Sequence, residues 1–131
     1  LIHFPNKDVN SFNKKKLLEL VEYLKEEKAF VYGAYYGQKL VGFIWGYPHI
    51  FFDEKRMFIN CLVVEKDYEK NGIGKKLINK MNEFAIENNY DSIDLTVAPF
   101  NENAIGFYRH IGFESERIQM YKKIGEKEWI F

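Results

Sequence analysis

Two glycines stand one residue apart in the stretch EKDYEKNGIGKKL, residues 65–77. Apolar residues recur at helical spacing after this pair, so we expect a helix from about residue 72 to residue 89. Gly72 and Gly74 would lie at its start, where unpaired N–H groups and the positive end of the helix dipole face outward. Because glycine has no side chain, a ligand can approach the backbone closely there. The stretch therefore predicts an anion site, suited to a phosphate group.

Two familiar phosphate-binding motifs do not fit this spacing. A P-loop needs a glycine, four residues and then Gly-Lys-Ser/Thr, and the chain contains no such pattern. A dinucleotide-binding turn needs a third glycine where Leu77 stands, and a doubly wound sheet larger than this chain can hold. Taken alone, Gly-Ile-Gly also fits an ordinary turn at the start of a helix.

Changes in hydrophobic period predict the elements that must position this site. Apolar residues at helical spacing predict a first helix over residues 11–28, capped by Asn10 or Ser11. Runs of β-branched and aromatic residues, bounded by turn residues, predict five strands. The predicted strands cover residues 29–36, 39–47, 57–64, 91–98 and 113–124.

The segments between these strands complete the predicted fold. Gly37-Gln38 predicts a tight hairpin turn, residues 48–56 a loop, and residues 101–112 a short helix. A crossover helix between the third and fourth strands predicts a parallel pair in an otherwise antiparallel sheet. The predicted class is α+β (mixed α/β), with one domain over residues 1–131. Because residue 1 is not Met, we expect an N-terminal strand to be incomplete.

Two segments together resemble the core motifs of the GNAT superfamily of acyl-CoA-dependent N-acyltransferases. The first family motif, Gln/Arg-x-x-Gly-x-Gly/Ala, is matched by EKNGIG at residues 69–74. The second is Asn-x-x-Ala followed by a Tyr and then a Gly-Phe pair. It is matched by Asn101, Ala104, Tyr108 and the pair at 112–113.

This resemblance is close over residues 57–123 and weaker over residues 8–56. It implies a GNAT-like central mixed, mostly antiparallel sheet with a splayed parallel strand pair, flanked by helices. It also implies acetyl-CoA as co-substrate, without a metal. The pyrophosphate of coenzyme A would lie against the backbone amides of residues 70–75, and Lys76 would add charge.

The resemblance further implies which residues contact the cofactor. They are Leu62, Val63, Val64, Glu69, Lys70, Asn71, Gly72, Ile73, Gly74, Lys75, Asn101, Ala104 and Tyr108. Glu69 departs from the pattern, because the family usually has Gln or Arg there. If the contact at this position is through the backbone amide, binding survives, whereas a side-chain contact would repel the phosphates. Asn101 is expected either to bond the pantetheine amides or only to cap its helix.

The chemistry implied by the family is direct attack of an amine on the acetyl thioester within a ternary complex. We expect a bulged strand at residues 62–64 to stabilise the oxyanion through the backbone N–H of Val63 or Val64. Tyr108 is expected to act as general acid. A phenol with an ordinary pKa of about 10 can donate a proton as charge builds on a thiol of about 8.5.

The base that takes the proton of the amine is not evident. In polyamine-acetylating relatives a Glu lies two residues before the Leu of the bulge, and Asn60 stands there in this chain. Asn cannot accept a proton, but it can hold a water in a relay that ends at His49, Asp53 or Glu54 in the predicted loop. We therefore expect no single carboxylate to be indispensable. Cys61 is expected to be a core residue.

The acceptor is open at this point. A small-molecule amine or an amino sugar is favoured. The alternatives are a protein N-terminus or lysine, and a module that binds acyl-CoA without catalysis. Aromatic residues in the first half of the chain can stack on a cationic acceptor, although core packing explains most of them.

Composition limits the possible partners. Nineteen basic residues balance nineteen acidic ones, so the net charge lacks the excess typical of nucleic-acid binders. One cysteine excludes an internal disulfide, and no apolar stretch has the length of a membrane span. We expect a cytoplasmic protein, monomeric or homodimeric, without nucleic-acid or membrane partners.

Overall fold

The computed structural model describes residues 28–125 and, before them, residues 18, 19, 21, 22 and 24–26. Residues 18, 19, 21, 22, 24 and 25 are helical, in agreement with the predicted first helix, whereas residue 28 is not. The proposed caps, Asn10 and Ser11, lie outside the described residues. No helix in the described part of the chain is long and apolar enough to cross a membrane.

Within the described residues, four strands form one sheet in the order β1-β2-β3-β4. The strands are β1 (Phe30–Tyr36), β2 (Lys39–Phe51), β3 (Glu54–Val64) and β4 (Ser92–Asp94). β2 runs antiparallel to both of its neighbours, β1 and β3, and β4 is parallel to β3. This mixed sheet confirms the predicted fold class, including the parallel pair.

Two helices follow β3 at nearly the predicted positions. A short 3-10 helix (Lys66–Tyr68) leads to α1 (Ile73–Glu87), and α2 (Glu102–His110) follows β4. The apolar side of α1 and part of α2 pack on one face of the sheet. The core residues on that face are Ile44, Met57, Ile59, Leu62, Val64, Leu77, Ile78, Met81, Ala104 and Tyr108.

The predicted turn at residues 37–38 is confirmed, with Gly37 at φ +63°. The predicted loop around 48–56 is wrong, because β2 and β3 continue as a hairpin that turns at Phe52 and Asp53, with φ of 46° and 67°. Pro48 is tolerated in β2 because β1 pairs with β2 only as far as Gly46. Beyond Gly46, no described strand pairs with the β1 side of β2. The N–H that proline lacks would therefore have no described strand to bond there.

β3 carries a bulge, but not at the predicted residues 62–64. Gly46 pairs with Ile59 and Trp45 pairs with Cys61, so Asn60 is the extra residue. A Cβ atom at Gly46 would lie 2.5 Å from the backbone oxygen of Phe58, so the strands can approach here only at a glycine.

The bulge decides which residues of β3 share a face. Without it, side chains would alternate strictly, and Met57 would face the same side as Cys61. The extra residue instead places Leu62 on the α1 side with Met57, while Cys61 is buried against Trp45 on the other side. Cys61 is 2% exposed, which confirms it as a core residue.

Two predicted strand assignments are wrong. β4 ends at Asp94, although alternation predicted a strand to residue 98, because only residues 92–94 find partners on β3. Residues 113–124 form no strand, and within the described residues they pair with no neighbour. Ile118 and Met120 are 87% and 88% exposed, so they do not pack against the described part of the sheet.

Candidate functional site

The first turn of α1 exposes backbone donors. Gly72 lies at its N-cap in the left-handed conformation, at φ +71°, and no described side chain caps the helix. The first intrahelical bond runs from the Lys76 N–H to the Gly72 oxygen at 3.0 Å. The N–H groups of Ile73, Gly74 and Lys75 therefore have no partner within the helix, and no acidic residue lies in its first turn.

The turn before α1 is held by its own chain. The Asn71 side-chain nitrogen donates to the backbone oxygen of Tyr68 at 3.1 Å and of Glu69 at 3.4 Å. Lys70 adopts φ +69°, which turns the backbone toward the helix. The side chains of Glu69 and Lys70 are exposed, so the turn itself does not depend on them.

The two glycines have different surroundings. A Cβ atom at Gly72 would meet nothing within 4 Å, so the left-handed backbone explains this glycine and the space beside it is open. A Cβ atom at Gly74 would lie 3.4 Å from Cζ of Phe107 and 3.9 Å from Cδ2 of Leu62. Gly74 thus marks the junction of α1, α2 and β3, a packing role that sequence reasoning missed.

β3 and β4 pair only over residues 56–58 and 92–94, and the unpaired stretch of β3 beyond Phe58 is called the gap below. Glu65 N–H donates to the Val41 oxygen at 2.8 Å across β2, and antiparallel bonding alternates along a strand. Val63 therefore turns its N–H toward β2, where it pairs with Phe43, and is excluded as the oxyanion donor. The same alternation directs the amides of Leu62 and Val64 into the gap.

Asn60 is the half-buried bulge residue near this gap. Its side-chain oxygen is buried and has no hydrogen-bond partner among the described residues. An amide oxygen in this state can accept a bond from a water or from a bound amine.

The start of α2 is closed by Asn101. Its side-chain oxygen accepts a hydrogen bond from the Ala104 N–H at 3.2 Å, so the capping role holds. Asn101 is 9% exposed and Ala104 only 1%, which fixes this end of the helix in the core. A contact between the Asn101 amide nitrogen and pantetheine stays a prediction.

Tyr108 lies on the buried side of α2. It is 7% exposed, and its ring centroid lies 5.2 Å from that of Phe107 and 5.4 Å from that of Phe113. Burial raises the pKa of the Tyr108 hydroxyl to about 12, and the nearby Cys61 thiol adds to this effect. The side chain therefore holds its proton firmly at neutral pH.

A second polar cluster lies at the hairpin end of the sheet. His49 Nε2 lies 2.8 and 2.9 Å from the two carboxylate oxygens of Asp94. Arg56 bonds Glu54 at 2.6 Å and Glu116 at 2.8 Å, and it lies 3.6 Å from Asp94. His49 and Glu54 were predicted in a loop and are instead strand residues, while Asp53 lies in the turn.

Sequence reasoning missed three members of this cluster, Asp94, Arg56 and Glu116. Alternation in SIDLTV placed Asp94 on a polar face without indicating a partner. Glu116 lies 60 residues from Arg56 in the sequence, so no local pattern links them.

A cavity of about 970 Å³ lies on another side of α1, between that helix and β1. Its walls include Tyr36, Tyr68 and Lys76. Neither Tyr108 nor Asn60 lines it, so it is separate from the groups that could take part in proton transfer.

Comparison with known proteins supplies the family. The model of the acetyltransferase (GNAT) family matches residues 3–113. The chain belongs to the GNAT family. The predicted kinship with acetyl-CoA-dependent acyltransferases is thereby confirmed at the level of the family.

Curated relatives are longer than this GNAT chain. The probable N-acetyltransferase san of Drosophila melanogaster is 32% identical over 117 residues, covering 87% of the chain and 61% of the relative. The probable N-acetyltransferase camello of Xenopus tropicalis is 26% identical over 110 residues, covering 83% of the chain and 50% of the relative. The chain thus spans less than two thirds of either relative.

Solved structures share the GNAT fold. A putative acetyl transferase from Pyrococcus furiosus superposes with a TM-score of 0.74 at 24% identity, covering 95% of this chain and 84% of that one. The aminoglycoside acetyltransferase AAC(6')-Iy, solved with a CoA-containing bisubstrate analogue, gives a TM-score of 0.71 at 18% identity. That match covers 93% of this chain and 84% of the other.

Proposed function

We propose that this GNAT chain is an N-acetyltransferase that moves an acetyl group from acetyl-CoA to a primary amine by direct attack. The observation that carries the proposal is the junction at Gly74. Leu62 on β3 and Phe107 on α2 meet there, beside the three N–H groups at the start of α1 that have no partner within the helix. The exposed amides of the α1 start and a buried phenol on α2 thus share one side of the sheet.

Coenzyme A fits this arrangement through its pyrophosphate. The N–H groups of Ile73, Gly74 and Lys75 would donate to phosphate oxygens, and the open space beside Gly72 admits them. Lys75 and Lys76 are exposed at the same end and add positive charge. AAC(6')-Iy, which shares the fold, has been solved with CoA. The pantetheine arm would follow the gap between β3 and β4.

The reaction would then proceed in that gap beside Val64, the last residue of β3. The amine attacks the thioester carbonyl, and the Val64 N–H stabilises the oxyanion. Carbon–sulfur cleavage leaves charge on sulfur, and Tyr108 donates to it. Because burial raises the pKa of Tyr108 to about 12, well above that of a thiol, the phenol acts best as a strong hydrogen-bond donor that gives up its proton only as the bond breaks.

A small-molecule amine, such as an amino sugar, is the acceptor that we favour. The carboxylates of Glu54, Asp94 and Glu116 lie at the hairpin end of the sheet and suit a cationic acceptor. Two structural neighbours are aminoglycoside acetyltransferases, and one was solved with sisomicin.

A protein N-terminus is the second candidate acceptor. The N-alpha-acetyltransferase 50 of Danio rerio is 36% identical over 75 residues, which favours this class. A panel containing sisomicin, a short diamine and a peptide with a free N-terminus separates the two classes. The faster acceptor at equal concentration identifies the class.

The test of the proposed function is the release of CoA thiol. We expect the Tyr108→Phe variant to bind CoA within a few-fold of the parent and to turn over roughly ten- to a thousandfold more slowly, because only a proton donor is lost. Tyr121→Phe, at a residue that is 92% exposed, is the matched control and should match the parent.

Two results would contradict the proposal. Equal turnover of the parent and Tyr108→Phe would remove Tyr108 from the mechanism. CoA binding without thiol release from any acceptor would favour an acyl-CoA-binding module without catalysis.

A further inference from the structure

The chain is anchored to the sheet up to Arg117 and is exposed after it. Arg56 donates two hydrogen bonds of 2.8 Å to the Glu116 carboxylate, and the Arg117 guanidinium lies 4.2 Å from the centroid of the Phe51 ring. Every residue from 118 to 124 is exposed, and none of them pairs with a described strand. These seven residues are called the exposed segment below. A backbone without strand partners is a template for pairing with another chain.

The exposed segment, IQMYKKI, is rich in large apolar side chains. Isoleucine and tyrosine favour strands. The hairpin turn between β2 and β3 adds Phe52, whose ring centroid lies 4.7 Å from that of Phe51, the ring that Arg117 covers. An exposed apolar surface of this kind marks an interaction site. Its side chains are each at least 80% exposed, and they are Phe52, Ile118, Met120, Tyr121 and Ile124.

The exposed segment is complementary to a reversed copy of itself. Two copies related by a two-fold axis pair antiparallel, so residues that precede the axis on one copy face those that follow it on the other. With the axis at Gln119, Ile118 would lie opposite Met120, and this apolar pair would occur twice. An axis at Met120 would instead place Arg117 opposite Lys123, and like charges directly opposite each other destabilise a strand pair.

Charge at the start of the segment favours the axis at Gln119. Glu116 would then lie opposite Lys122 of the second copy. Arg56 is shared between the carboxylates of Glu54 and Glu116, so this trio carries a net negative charge. The side chains of Glu54 and Glu116 are 48% and 47% exposed, which leaves them accessible to a lysine from outside. Opposite charges on facing strand residues stabilise the pair.

We propose that residues 118–124 pair antiparallel with the same residues of a second copy of this chain, about a two-fold axis at Gln119. At roughly 150 Å² for each side chain, the exposed apolar residues can bury about 750 Å² per chain. A stable interface takes about 800 Å² from each partner. The exposed area therefore suits a homodimer. This contact does not depend on the proposed acetyltransferase activity.

Residues 126–131 of the same chain are the competing occupant of this surface. They lie outside the described residues. If they covered the exposed segment, its apolar side chains would stabilise the monomer, and a charge placed there would lower the melting temperature at every protein concentration. In a dimer the same substitution acts on association, so the melting temperature of the parent rises with protein concentration. The two occupants therefore predict different measurements.

Sedimentation equilibrium of the full chain measures association directly. Ile118→Lys and Met120→Glu each place a charge in the apolar pair. Ile86→Lys is the matched control, because it makes the same change at an exposed isoleucine on α1. All three positions are at least 68% exposed, so the variants should fold. Thermal melting of each variant in dilute solution checks this.

We expect the parent to dimerise, and Ile118→Lys and Met120→Glu each to raise the dimer Kd by roughly a hundredfold or more, because the two-fold axis repeats each change. An equimolar mixture of these two variants should recover dimer. In the mixed dimer, the introduced lysine faces the introduced glutamate, and the other crossing keeps Ile118 opposite Met120. The Kd of Ile86→Lys should stay within about threefold of the parent.

Three results would overturn the inference. A parent that stays monomeric up to about 1 mM would exclude the dimer. A lowered melting temperature of Ile118→Lys would then assign the surface to residues 126–131. Equal dimerisation of the parent and Ile118→Lys would place the interface elsewhere. Failure of the two variants to associate with each other, when each alone is monomeric, would exclude the axis at Gln119.

Discussion

The two helices α1 and α2 begin in opposite ways. At α1 the N-cap is Gly72, no described side chain caps the helix and no acidic residue lies in the first turn. At α2 the Asn101 side chain caps the helix, and Glu102 supplies a negative charge in the first turn. One helix start is closed by its own chain, and the other is left open.

This difference is what the proposed anion site at the start of α1 predicts. Capping and an acidic first turn each stabilise a helix by roughly 0.3 to 2 kcal/mol. The start of α1 lacks both, and it has Lys75 at a position where an acidic residue would be more favourable. A bound phosphate group can supply the missing acceptor and charge, so the unfavourable start is consistent with an anion site.

The largest expected effect comes from making the α1 start resemble the α2 start. Lys75→Glu places a carboxylate in the first turn, which should repel the pyrophosphate and weaken CoA binding by roughly ten- to a hundredfold. Isothermal titration with CoA measures the change. Lys80→Glu makes the same charge change farther along the helix. It should change the free energy of CoA binding by less than about a third as much as Lys75→Glu. Equal losses in both variants would indicate a general charge effect.

The second effect concerns the buried phenol on α2. The folded pKa of Tyr108, about 12, lies above the ordinary value of 10.0, so the folded chain keeps this proton at higher pH than the unfolded chain. The associated stability is complete below pH 10 and is lost as pH rises toward 12. We expect the parent to lose about 1 to 2 kcal/mol more than Tyr108→Phe between pH 9 and pH 11. Urea unfolding at both pH values measures this. Parallel pH curves for the two proteins would contradict the burial of an ionisable Tyr108.

The third effect tests the closed start of α2. Asn101→Ala removes the acceptor for the Ala104 N–H and should destabilise the fold by about 1 kcal/mol. Asn101→Asp keeps an acceptor and should retain most of that stability. If Asn101→Ala weakened CoA binding with unchanged stability, the side chain would serve the ligand and not the cap.

Local signals in the sequence were sufficient for the helices and the first hairpin. Gly37 and the apolar spacing of α1 are properties of short segments, and the structure confirms both. The ends of the strands were harder to predict. Alternation indicates which side chains face the core, but it does not indicate whether a neighbouring strand is present. Residues 95–98 and 113–124 alternate or are β-prone, yet they pair with no strand within the described residues.

The residues of the candidate site also fall into two groups, those that a local motif predicts and those that depend on how the strands pair. The glycines, Asn101 and Tyr108 were found because they lie in two short motifs. The position of the bulge at Asn60 depends on the register between β2 and β3, which neither strand determines alone. The contact between His49 and Asp94 spans 45 residues and requires β2, β3 and β4 to be in place.

The smallest expected effect is also the sharpest test of the comparison. In the absence of CoA, Lys75→Glu should raise the free energy of unfolding by about 0.3 to 1 kcal/mol, because a negative charge near a helix start is favourable. The same substitution is expected to weaken CoA binding, so the two effects have opposite signs. Urea unfolding at low salt, with and without CoA, measures both, and Lys80→Glu again controls for overall charge. A variant that loses stability without CoA would mean that Lys75 serves the fold. In that case the open start of α1 could not be attributed to the ligand.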